Sequence, residues 1–396
     1  MKTPARLFGV RRLPLRDSYD AVIVGGGVQG LALAYHLAKE GYANVAVLDK
    51  SYLGSGASGR NSSMIRDVFA TPEWARFFGL SLRLWESISD ELGYNVMFTQ
   101  RGTLMVGFRE ETLEFFRRAV IVHREMGVKS RYLDRYEVRQ LAPEIGDGVQ
   151  GGLLGLSGGM ARHDGLVWGY AVAADRLGVE IHSFTEVTGI DVRDDGVVGV
   201  RTSRGPIRTR RVVHAAGGHG VEVGRMVGVE LPIETLTLEK FVTEAVKPML
   251  TPVLVSVELR CSIGQTSRGE FVMGSSETSG AVGLRSTYDF LKISARKLTR
   301  VYPPLARTTI LRQWGGMIDV TPDHAPIVGE VDEVKGFFLN SGWGGYGFMA
   351  APAAGKLLAP WFLRGERSAV LEPFQLGRFK TGRLVPDAMI PIHQSA

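Results

Sequence analysis

Three glycines at fixed spacing, followed by one acidic residue, form the strongest chemical signal in this chain. Gly25, Gly27 and Gly30 fit the pattern G-x-G-x-x-G, and Asp49 lies nineteen residues after the last of them. Such a turn presents backbone N–H groups and a helix N-terminus to a diphosphate, while the carboxylate accepts hydrogen bonds from a ribose. The spacing therefore predicts a dinucleotide site. The structural alternative is a glycine-rich turn in an α/β fold that holds no nucleotide.

A second glycine-rich segment lies at the far end of the chain, between an apolar strand and a helix. It spans residues 341–348 and contains Gly342, Gly344, Gly345, Gly347 and Phe348. A turn of this kind lets backbone lie against a flat ring and points a helix N-terminus at a group that becomes negative. The two loops together favour a flavin nucleotide over a nicotinamide, although a plain tight turn is the alternative for the second loop.

These loops need strands and helices to position them, and the hydrophobic pattern predicts where those elements lie. Apolar strands are expected at 22–24 and 44–48, on either side of the helix that Gly30 opens. Further strands are expected at 102–108, 179–184 and 336–340, with sheet ribbons at 187–201 and 206–215. Further helices are expected at 74–92, 110–125, 165–177, 286–301 and 353–362.

The order of these elements predicts an α/β protein with two discontinuous domains. A Rossmann-type nucleotide-binding domain takes residues 19–93, 161–220 and 308–396, and a mixed-sheet substrate domain is inserted as residues 94–160 and 221–307. Residues 1–18 precede both as an arm that is rich in arginine. The arm is interpreted either as a partner-binding segment or as a frayed, solvated tail.

Composition excludes several classes of function. The chain has 396 residues, of which 44% are hydrophobic and 22% charged, with a net charge of +6. Its basic residues are scattered, with no stripe interleaved with aromatics, so nucleic-acid binding is not expected. No apolar run is long enough to cross a bilayer, and no signal peptide precedes Tyr19. We therefore expect a cytoplasmic protein without a transmembrane segment.

Cysteine and histidine usage argues against a metal centre. Cys261 is the only cysteine, which excludes an intrachain disulfide or a multi-cysteine metal site. We interpret Cys261 as a small hydrophobic residue in a strand. The eight histidines show no ligand spacing, so no metal is expected.

Several longer segments carry a resemblance to a known flavoprotein family. They are residues 25–30, 53–66, 94–102, 161–170, 269–274, 321–327 and 340–344. In these the chain resembles the β subunit of heterotetrameric sarcosine oxidase, within the D-amino-acid-oxidase-like superfamily. Catalytic subunits of dye-linked L-proline dehydrogenase are similar. The resemblance covers nearly the whole chain after Ser18 and implies a Rossmann-type FAD-binding domain with an inserted substrate domain.

The resemblance implies non-covalent FAD, because monomeric relatives attach FAD to a cysteine near residues 314–317 and this chain has none there. It also implies that FAD contacts the first turn, the following serine-rich loop, two residues after a later strand, and the second glycine loop. The backbone of Val187 is expected to contact adenine. The predicted cofactor-binding residues are Gly25, Gly27, Val28, Gln29, Gly30, Asp49, Lys50, Gly56, Ala57, Ser58, Asn61, Ser62, Ser63, Met64, Val187, Ala216, Gly217, Gly342, Gly344, Gly345, Gly347 and Phe348.

His163 corresponds to the place where the family attaches a second flavin, FMN, between subunits. The resemblance thus implies a contact between His163 and FMN, and a second flavin- or ferredoxin-containing subunit type as partner. Whether the contact is covalent stays open, because the proline dehydrogenase relatives hold FMN without a bond. Taken alone, the histidine could equally cap a helix or belong to the core.

The expected chemistry is oxidation of a secondary amine that carries a carboxylate. Arg66 corresponds to the family's carboxylate-binding arginine and suits that task, because its fork matches both oxygens. A surface or phosphate-contacting arginine is the alternative. Tyr346 either donates to the substrate or only packs. Met349 stands where the family has a lysine, which weakens the inference of sarcosine specificity.

Two residues on strands that are expected to roof the site, Gln265 and Lys240, complete the candidates. Either could face the substrate, because the phase of those strands is not determined by the pattern.

We therefore expect flavin-dependent oxidation of proline, hydroxyproline, sarcosine or dimethylglycine, or of a similar small secondary or N-methyl amino acid, by hydride transfer to FAD. The chain would be the catalytic subunit of a complex that passes electrons onward. The alternatives are a stand-alone amine oxidase that forms peroxide and a non-catalytic subunit that only holds flavin.

Overall fold

The computed structural model describes residues 6–7, 9–277 and 282–385. Outside the described residues lie 1–5 and 8 of the predicted arm, 278–281 of the predicted substrate domain and 386–396 of the predicted nucleotide domain. The strands are β1 (Arg6–Leu7), β2 (Val10–Arg11), β3 (Ala21–Val24), β4 (Val45–Leu48), β5 (Met64–Ile65), β6 (Thr99–Gln100), β7 (Thr103–Gly107), β8 (Ser130–Asp134), β9 (Gly151–Gly155), β10 (Gly159–Met160), β11 (Glu180–His182), β12 (Val187–Arg193), β13 (Gly196–Thr202), β14 (Gly205–Arg208), β15 (Val212–His214), β16 (Glu234–Ala245), β17 (Val253–Ser256), β18 (Cys261–Gln265), β19 (Glu270–Ser275), β20 (Ile310–Val320), β21 (Ile327–Glu330) and β22 (Phe337–Ser341). The α-helices are α1 (Val28–Lys39), α2 (Pro72–Leu92), α3 (Glu110–Glu125), α4 (Arg135–Leu141), α5 (His163–Arg176), α6 (Gly220–Arg225), α7 (Tyr288–Val301), α8 (Gly347–Arg364) and α9 (Arg378–Thr381).

A six-stranded sheet in the order β11-β4-β3-β15-β22-β21 carries the first glycine turn. Its strands are parallel except β21, which runs antiparallel to β22. Every residue of β3 and β4 is buried. Strands covered on both faces read as continuous apolar runs, which is why the sequence pattern identifies these two so clearly.

Helices α1, α5 and α8 pack together and give this sheet its main apolar core. Helix α1 is buried along nearly its whole length, so it has no polar face. Its contact with α8 is close, because a Cβ at Gly355 would lie 2.7 Å from the carbonyl carbon of Ala32. The sequence therefore needs glycine at this helix crossing.

A second, eight-stranded sheet has the order β20-β16-β19-β18-β17-β7-β9-β8. The longest pair is β16 with β20, in antiparallel register from Glu234 opposite Val320 to Thr243 opposite Ile310. The predicted boundary at residue 308 would assign β20 to the nucleotide domain, but its pairing places it in this larger sheet. The boundary is wrong at this point because a strand's sheet is decided by its long-range partner. The rest of the predicted division stays a prediction.

Helix α8 begins at Gly347, six residues before the predicted start at 353. It contains Pro352 and Pro360 within its length. Proline and glycine normally signal turns, which explains why the pattern placed the start too late. The consequence is that the second glycine loop runs directly into a helix N-terminus.

The described part of the N-terminal arm is anchored to the body of the protein. Arg11 Nε donates to Asp175 Oδ1 at 2.9 Å, and Arg16 pairs with Glu180, whose other oxygen accepts from Tyr19. These contacts do not fit a frayed tail over residues 10–18. Separately, none of the helices in the described ranges combines the length and the apolarity that a bilayer crossing requires.

We expect Gly355→Val to lower the free energy of unfolding by about 1–3 kcal/mol, because the added atoms have no room against α1. Urea denaturation followed by circular dichroism measures the change. The matched control is Gly377→Val, where nothing lies within 4 Å of the position that a Cβ would take. Equal midpoints for the two variants would contradict the helix crossing described above.

Candidate active site

A cavity of about 390 Å³ lies between the carboxyl edge of the six-stranded sheet and the eight-stranded sheet. Its wall includes the first glycine turn, the loop around residues 56–64, the second glycine loop and one face of β16. The volume is in the range of small-molecule sites. Both predicted loops therefore open into one space.

The first turn links β3 to α1 through two close backbone approaches. Gly25 has φ +119°, and a Cβ there would lie 2.3 Å from the carbonyl oxygen of Ala215. A Cβ at Gly30 would lie 2.1 Å from the carbonyl oxygen of Gly25. Only glycine fits these positions, and the result is that the N-terminus of α1 points at the cavity with its partial positive charge.

Asp49 follows β4 and lies on the cavity wall beside this turn. Its Oδ2 accepts from the Gly26 N–H at 2.8 Å, and its Oδ1 accepts from the Ser51 N–H at 2.8 Å. Burial raises the pKa of this carboxyl, while the two N–H donors act in the opposite direction. A carboxylate has about four acceptor positions, so Asp49 can hold the turn and still accept from a ribose.

The loop after β4 is held against the start of α1 by side-chain bonds. Ser58 Oγ accepts from the Val28 N–H at 3.0 Å, and Asn61 Nδ2 donates to the Ser58 carbonyl oxygen at 2.6 Å. Asn61 Oδ1 in turn accepts from the Ser63 N–H at 2.6 Å. The polar loop is thus fixed in place along the cavity wall.

The second glycine loop is tied to the first turn across 318 residues of chain: Gln29 Nε2 donates to the Gly347 carbonyl oxygen at 2.7 Å. The loop is also held by Asp319, a buried residue at the end of β20, which accepts from Ser341 Oγ at 3.0 Å and from the Gly342 N–H. Burial raises the pKa of Asp319, and these donors oppose the shift. The N-termini of α1 and α8 consequently meet at one cavity.

Arg66 and Tyr346 lie side by side on the wall, with the guanidinium carbon 5.6 Å from the ring centre. Met349 lies behind them in the core: its Sδ accepts from the Arg66 N–H at 3.4 Å. The Met349 carbonyl oxygen accepts from Ser81 Oγ at 2.6 Å and from Trp85 Nε1 at 2.9 Å. Met349 is therefore not among the residues of the cavity wall. It supports the backbone that carries Arg66, and its selection as a catalytic candidate stays a prediction.

Most of the predicted site residues do share the cavity wall. They are Gly25, Gly27, Val28, Gln29, Asp49, Gly56, Ala57, Ser58, Asn61, Ser62, Met64, Arg66, Ala216, Gly217, Gly344, Gly345, Tyr346, Gly347 and Phe348. Their contact with a cofactor stays a prediction, although the structure brings them together from distant parts of the chain.

The other predicted residues lie off this wall. Gly30 and Gly342 shape the two turns rather than line the cavity. Val187 is buried in the apolar cluster that also contains β12 and β13, and Lys50 Nζ lies 3.4 Å from His219 Nδ1. The predicted contacts of Val187 and Lys50 with the cofactor remain predictions.

Ser63, near the end of the loop around residues 56–64, forms a pair with His163. Neither residue is among those of the cavity wall. Ser63 Oγ lies 3.1 Å from His163 Nδ1, and His163 is the first residue of α5. Burial lowers the pKa of His163, which keeps the imidazole neutral at pH 7. The residue as a whole is half-buried.

The sequence pattern does not determine whether Lys240 or Gln265 faces the cavity, and the structure shows which one does. Leu236, Leu238 and Lys240 alternate along β16 and all lie on the wall. Gln265 is instead buried against the connection between β16 and β17, where its Oε1 accepts from the N–H groups of Met249 at 2.8 Å and Leu250 at 3.0 Å. The alternation of apolar residues before Lys240 is the signal that could have identified its face.

Several wall residues carry no signal in the sequence pattern, among them Asp319, Cys261, Arg60 and Arg260. Cys261 is buried, as expected of a small hydrophobic residue, but it also borders the cavity. Burial raises the pKa of its thiol to about 12. The thiol is thus protonated at neutral pH and a poor nucleophile.

The wall fits a large flat cofactor. Gly56, Gly217 and Gly345 lie on it, and a Cβ at any of them would meet no atom within 4 Å. Such bare backbone on both sides of a cavity allows a ring system to approach main chain directly. With a helix N-terminus at each loop and Asp49 at one end, the residues present suit the diphosphate, ribose and ring of FAD.

Comparison with known proteins supports this fit. A family model described as FAD dependent oxidoreductase matches residues 20–361. Sarcosine oxidase subunit beta from Rhizobium meliloti (strain 1021) is 37% identical, with 94% of this chain and 91% of the relative covered. The same subunit from an Arthrobacter species is 36% identical, covering 94% of each chain.

Among solved structures, L-proline dehydrogenase from P. horikoshii is similar over 94% of this chain and all of that chain. The TM-score is 0.90 and the identity 29%. These matches confirm the predicted α/β fold class and the resemblance on which it was argued.

We expect Gly345→Leu to reduce the FAD content of the purified protein, because the side chain would project into the cavity at the second loop. A weakening of at least tenfold, about 1.4 kcal/mol, should be seen when FAD is titrated and followed by its absorbance. Gly377→Leu is the control, since position 377 is exposed and far in sequence from either loop. Unchanged FAD affinity in Gly345→Leu would show that the cofactor does not reach the second loop.

Proposed function

The chain belongs to the FAD-dependent oxidoreductase family, and on this premise we propose that it oxidises a small secondary or N-methyl amino acid. Proline, hydroxyproline, sarcosine and dimethylglycine are examples of such substrates. In this proposal the chain acts as the catalytic subunit of a complex. Two relatives described above are named for sarcosine and for L-proline. Both compounds are small amino acids with a secondary amine, which is the feature they share.

The observation that carries the proposal is the position of Arg66 beside Tyr346 on the wall of the cavity that both glycine loops share. A guanidinium binds a carboxylate through two parallel N–H···O bonds, and such charge-assisted bonds fix orientation. The Tyr346 ring lies beside the Arg66 guanidinium and limits the orientations that this group can adopt. Arg66 thus suits a carboxylate anchor that sets which carbon lies over the flavin.

FAD, when bound, accepts the hydride from the carbon next to the substrate nitrogen. The protein's part is to bind and orient the substrate and to exclude water. Leu236 and Leu238 face the cavity from β16 and keep this side apolar. In such a site the attraction between Arg66 and a carboxylate is stronger than in water, and proximity supplies much of the rate. The imine product then takes up water and hydrolyses to a carbonyl compound and an amine.

Electron transfer onward is the finer part of the proposal. His163 lies one hydrogen bond from Ser63, whose neighbours Ser62 and Met64 are on the cavity wall. Its imidazole is neutral and the residue is half-buried, which suits contact with a second flavin, FMN, at a subunit interface. A second flavin- or ferredoxin-containing subunit type would complete the complex, and a cytoplasmic location fits this proposal.

We expect Arg66→Lys to raise KM for carboxylate substrates at least tenfold and to lower FAD content much less. Lysine keeps the charge but loses the two-pronged bond, which contributes about 1.5–3 kcal/mol when one partner is charged. Anaerobic dye reduction at varied substrate concentration gives KM, and the visible absorbance gives the FAD content. The control is Arg83→Lys, an exposed arginine on α2.

An unchanged KM in Arg66→Lys would refute the anchor. If no amino acid with a secondary amine bleached the flavin of the wild-type complex, the role of a non-catalytic flavin-holding subunit would replace the proposal. A stoichiometric yield of peroxide without dye would favour the stand-alone oxidase.

We expect His163→Ala to lower the FMN-to-FAD ratio of the co-expressed complex by half or more. Acid extraction followed by chromatography measures the free flavins, and the mass of the denatured polypeptide shows whether FMN is bonded to it. Arg176→Ala, at the exposed other end of α5, serves as control. An unchanged ratio, or a wild-type complex without FMN, would count against the second-flavin site.

A further inference from the structure

Lys240 is a cation on the cavity wall with no ion pair or hydrogen bond among the described residues. It lies near the middle of β16, where Leu236 and Leu238 face the same cavity and Glu239 faces the other side. Glu239 is bonded there to Thr287 and Gln313, so it is not the counter-ion of Lys240. The ammonium thus interrupts an otherwise apolar face.

The Lys240 side chain is confined by the neighbouring strand. A Cβ at Gly274 of β19 would lie 2.9 Å from Lys240 Cδ and 3.2 Å from its Nζ. The Lys240 side chain therefore passes over Gly274, and a side chain at position 274 would clash with it. Burial, followed by the Arg66 guanidinium, lowers the pKa of Lys240 to about 8. Most of the population stays protonated at pH 7.

Arg66 also lacks a carboxylate partner in the described part of the chain. Its guanidinium lies over Tyr346, and its backbone N–H donates to Met349 Sδ. Lys240 and Arg66, neither with an acidic partner among the described residues, thus lie close enough on one wall to repel each other. The other arginines of this wall are Arg60 and Arg260. Confined charges of one sign are costly unless anions pair with them.

The carboxylates on the described wall are already engaged elsewhere. Asp49 accepts from backbone N–H groups in the first turn, and Asp319 holds the second loop. Neither is available at the roof. The diphosphate of a dinucleotide belongs at the first turn, at the N-terminus of α1, and not at β16. The charge at the substrate end must therefore be balanced by the substrate itself.

We propose that Arg66 and Lys240 bind the two carboxylates of one substrate, so that this site selects secondary amino acids that carry a second acidic group. This inference rests on the proposed function and narrows its substrate class. A monocarboxylate satisfies Arg66 and leaves Lys240 unpaired beneath the apolar roof. A dicarboxylate neutralises both cations, and the reaction at the carbon next to nitrogen is unchanged.

N-methyl-L-aspartate and N-methyl-L-asparagine are suitable probes, because they have the same size and differ in the second acid. We expect the wild-type holoenzyme to bind the aspartate derivative at least tenfold more tightly. The dissociation constant is obtained anaerobically from the way the rate of flavin bleaching saturates with the concentration of the compound, or from the perturbed flavin spectrum if no bleaching occurs. The constants kcat and KM are measured separately by dye reduction. Lys240→Met should reduce the ratio of dissociation constants to below threefold, and Lys240→Arg should preserve it.

Lys247→Met is the matched control, because Lys247 is exposed just beyond the end of β16 and is expected to keep the full ratio. If Lys240→Met loses its flavin, Lys240→Gln is judged by the same ratio. Absence of any preference in the wild type would overturn the inference. So would an equal weakening of both compounds in Lys240→Met, since Lys240 would then act on the shared carboxylate. A preference for the dicarboxylate without oxidation of either compound would leave the inference standing and refute the proposed function.

Discussion

The close crossing of α1 and α8 is the constraint on which the rest of the structure depends. Gly355 lies against the backbone of Ala32, and Gln29 binds the carbonyl oxygen of Gly347 at the N-terminal ends of the two helices. Two loops that are more than three hundred residues apart therefore open into one cavity. Because each helix directs its N-terminal partial charge at that cavity, the crossing creates a site for an extended, partly anionic cofactor.

The charges around the cavity are divided between structure and recognition. Asp49 and Asp319 are acids whose oxygens accept backbone N–H groups, so each stabilises a glycine loop. Arg66 and Lys240 are cations without acidic partners in the described structure, and both lie on the cavity wall. Because the acids are engaged by backbone N–H groups and the cations have no acidic partner, the cavity wall near Arg66 and Lys240 attracts anions. This division links the fold directly to the carboxylate chemistry proposed for the protein.

Prediction from the sequence succeeded where the signal was local. The helix expected at 110–125 has those bounds in the structure, because apolar residues recur there at helical spacing. The start of α8 was placed late because Pro352 resembles a turn signal, although five residues of helix precede this proline from Gly347. Met349 was singled out because it stands where the related family has a lysine. Its side chain turns into the core, which spacing along the chain cannot show.

The sequence by itself determined the dinucleotide turn, because Gly25 and Gly30 are required by backbone contacts within one β-α unit and between that unit and its neighbouring strand. Only the tertiary structure decided that Lys240, and not Gln265, faces the cavity. Successive side chains of a strand point to opposite faces, so one residue of register reverses every assignment. That register is set by partners such as β20, far away in sequence, and local patterns do not contain it.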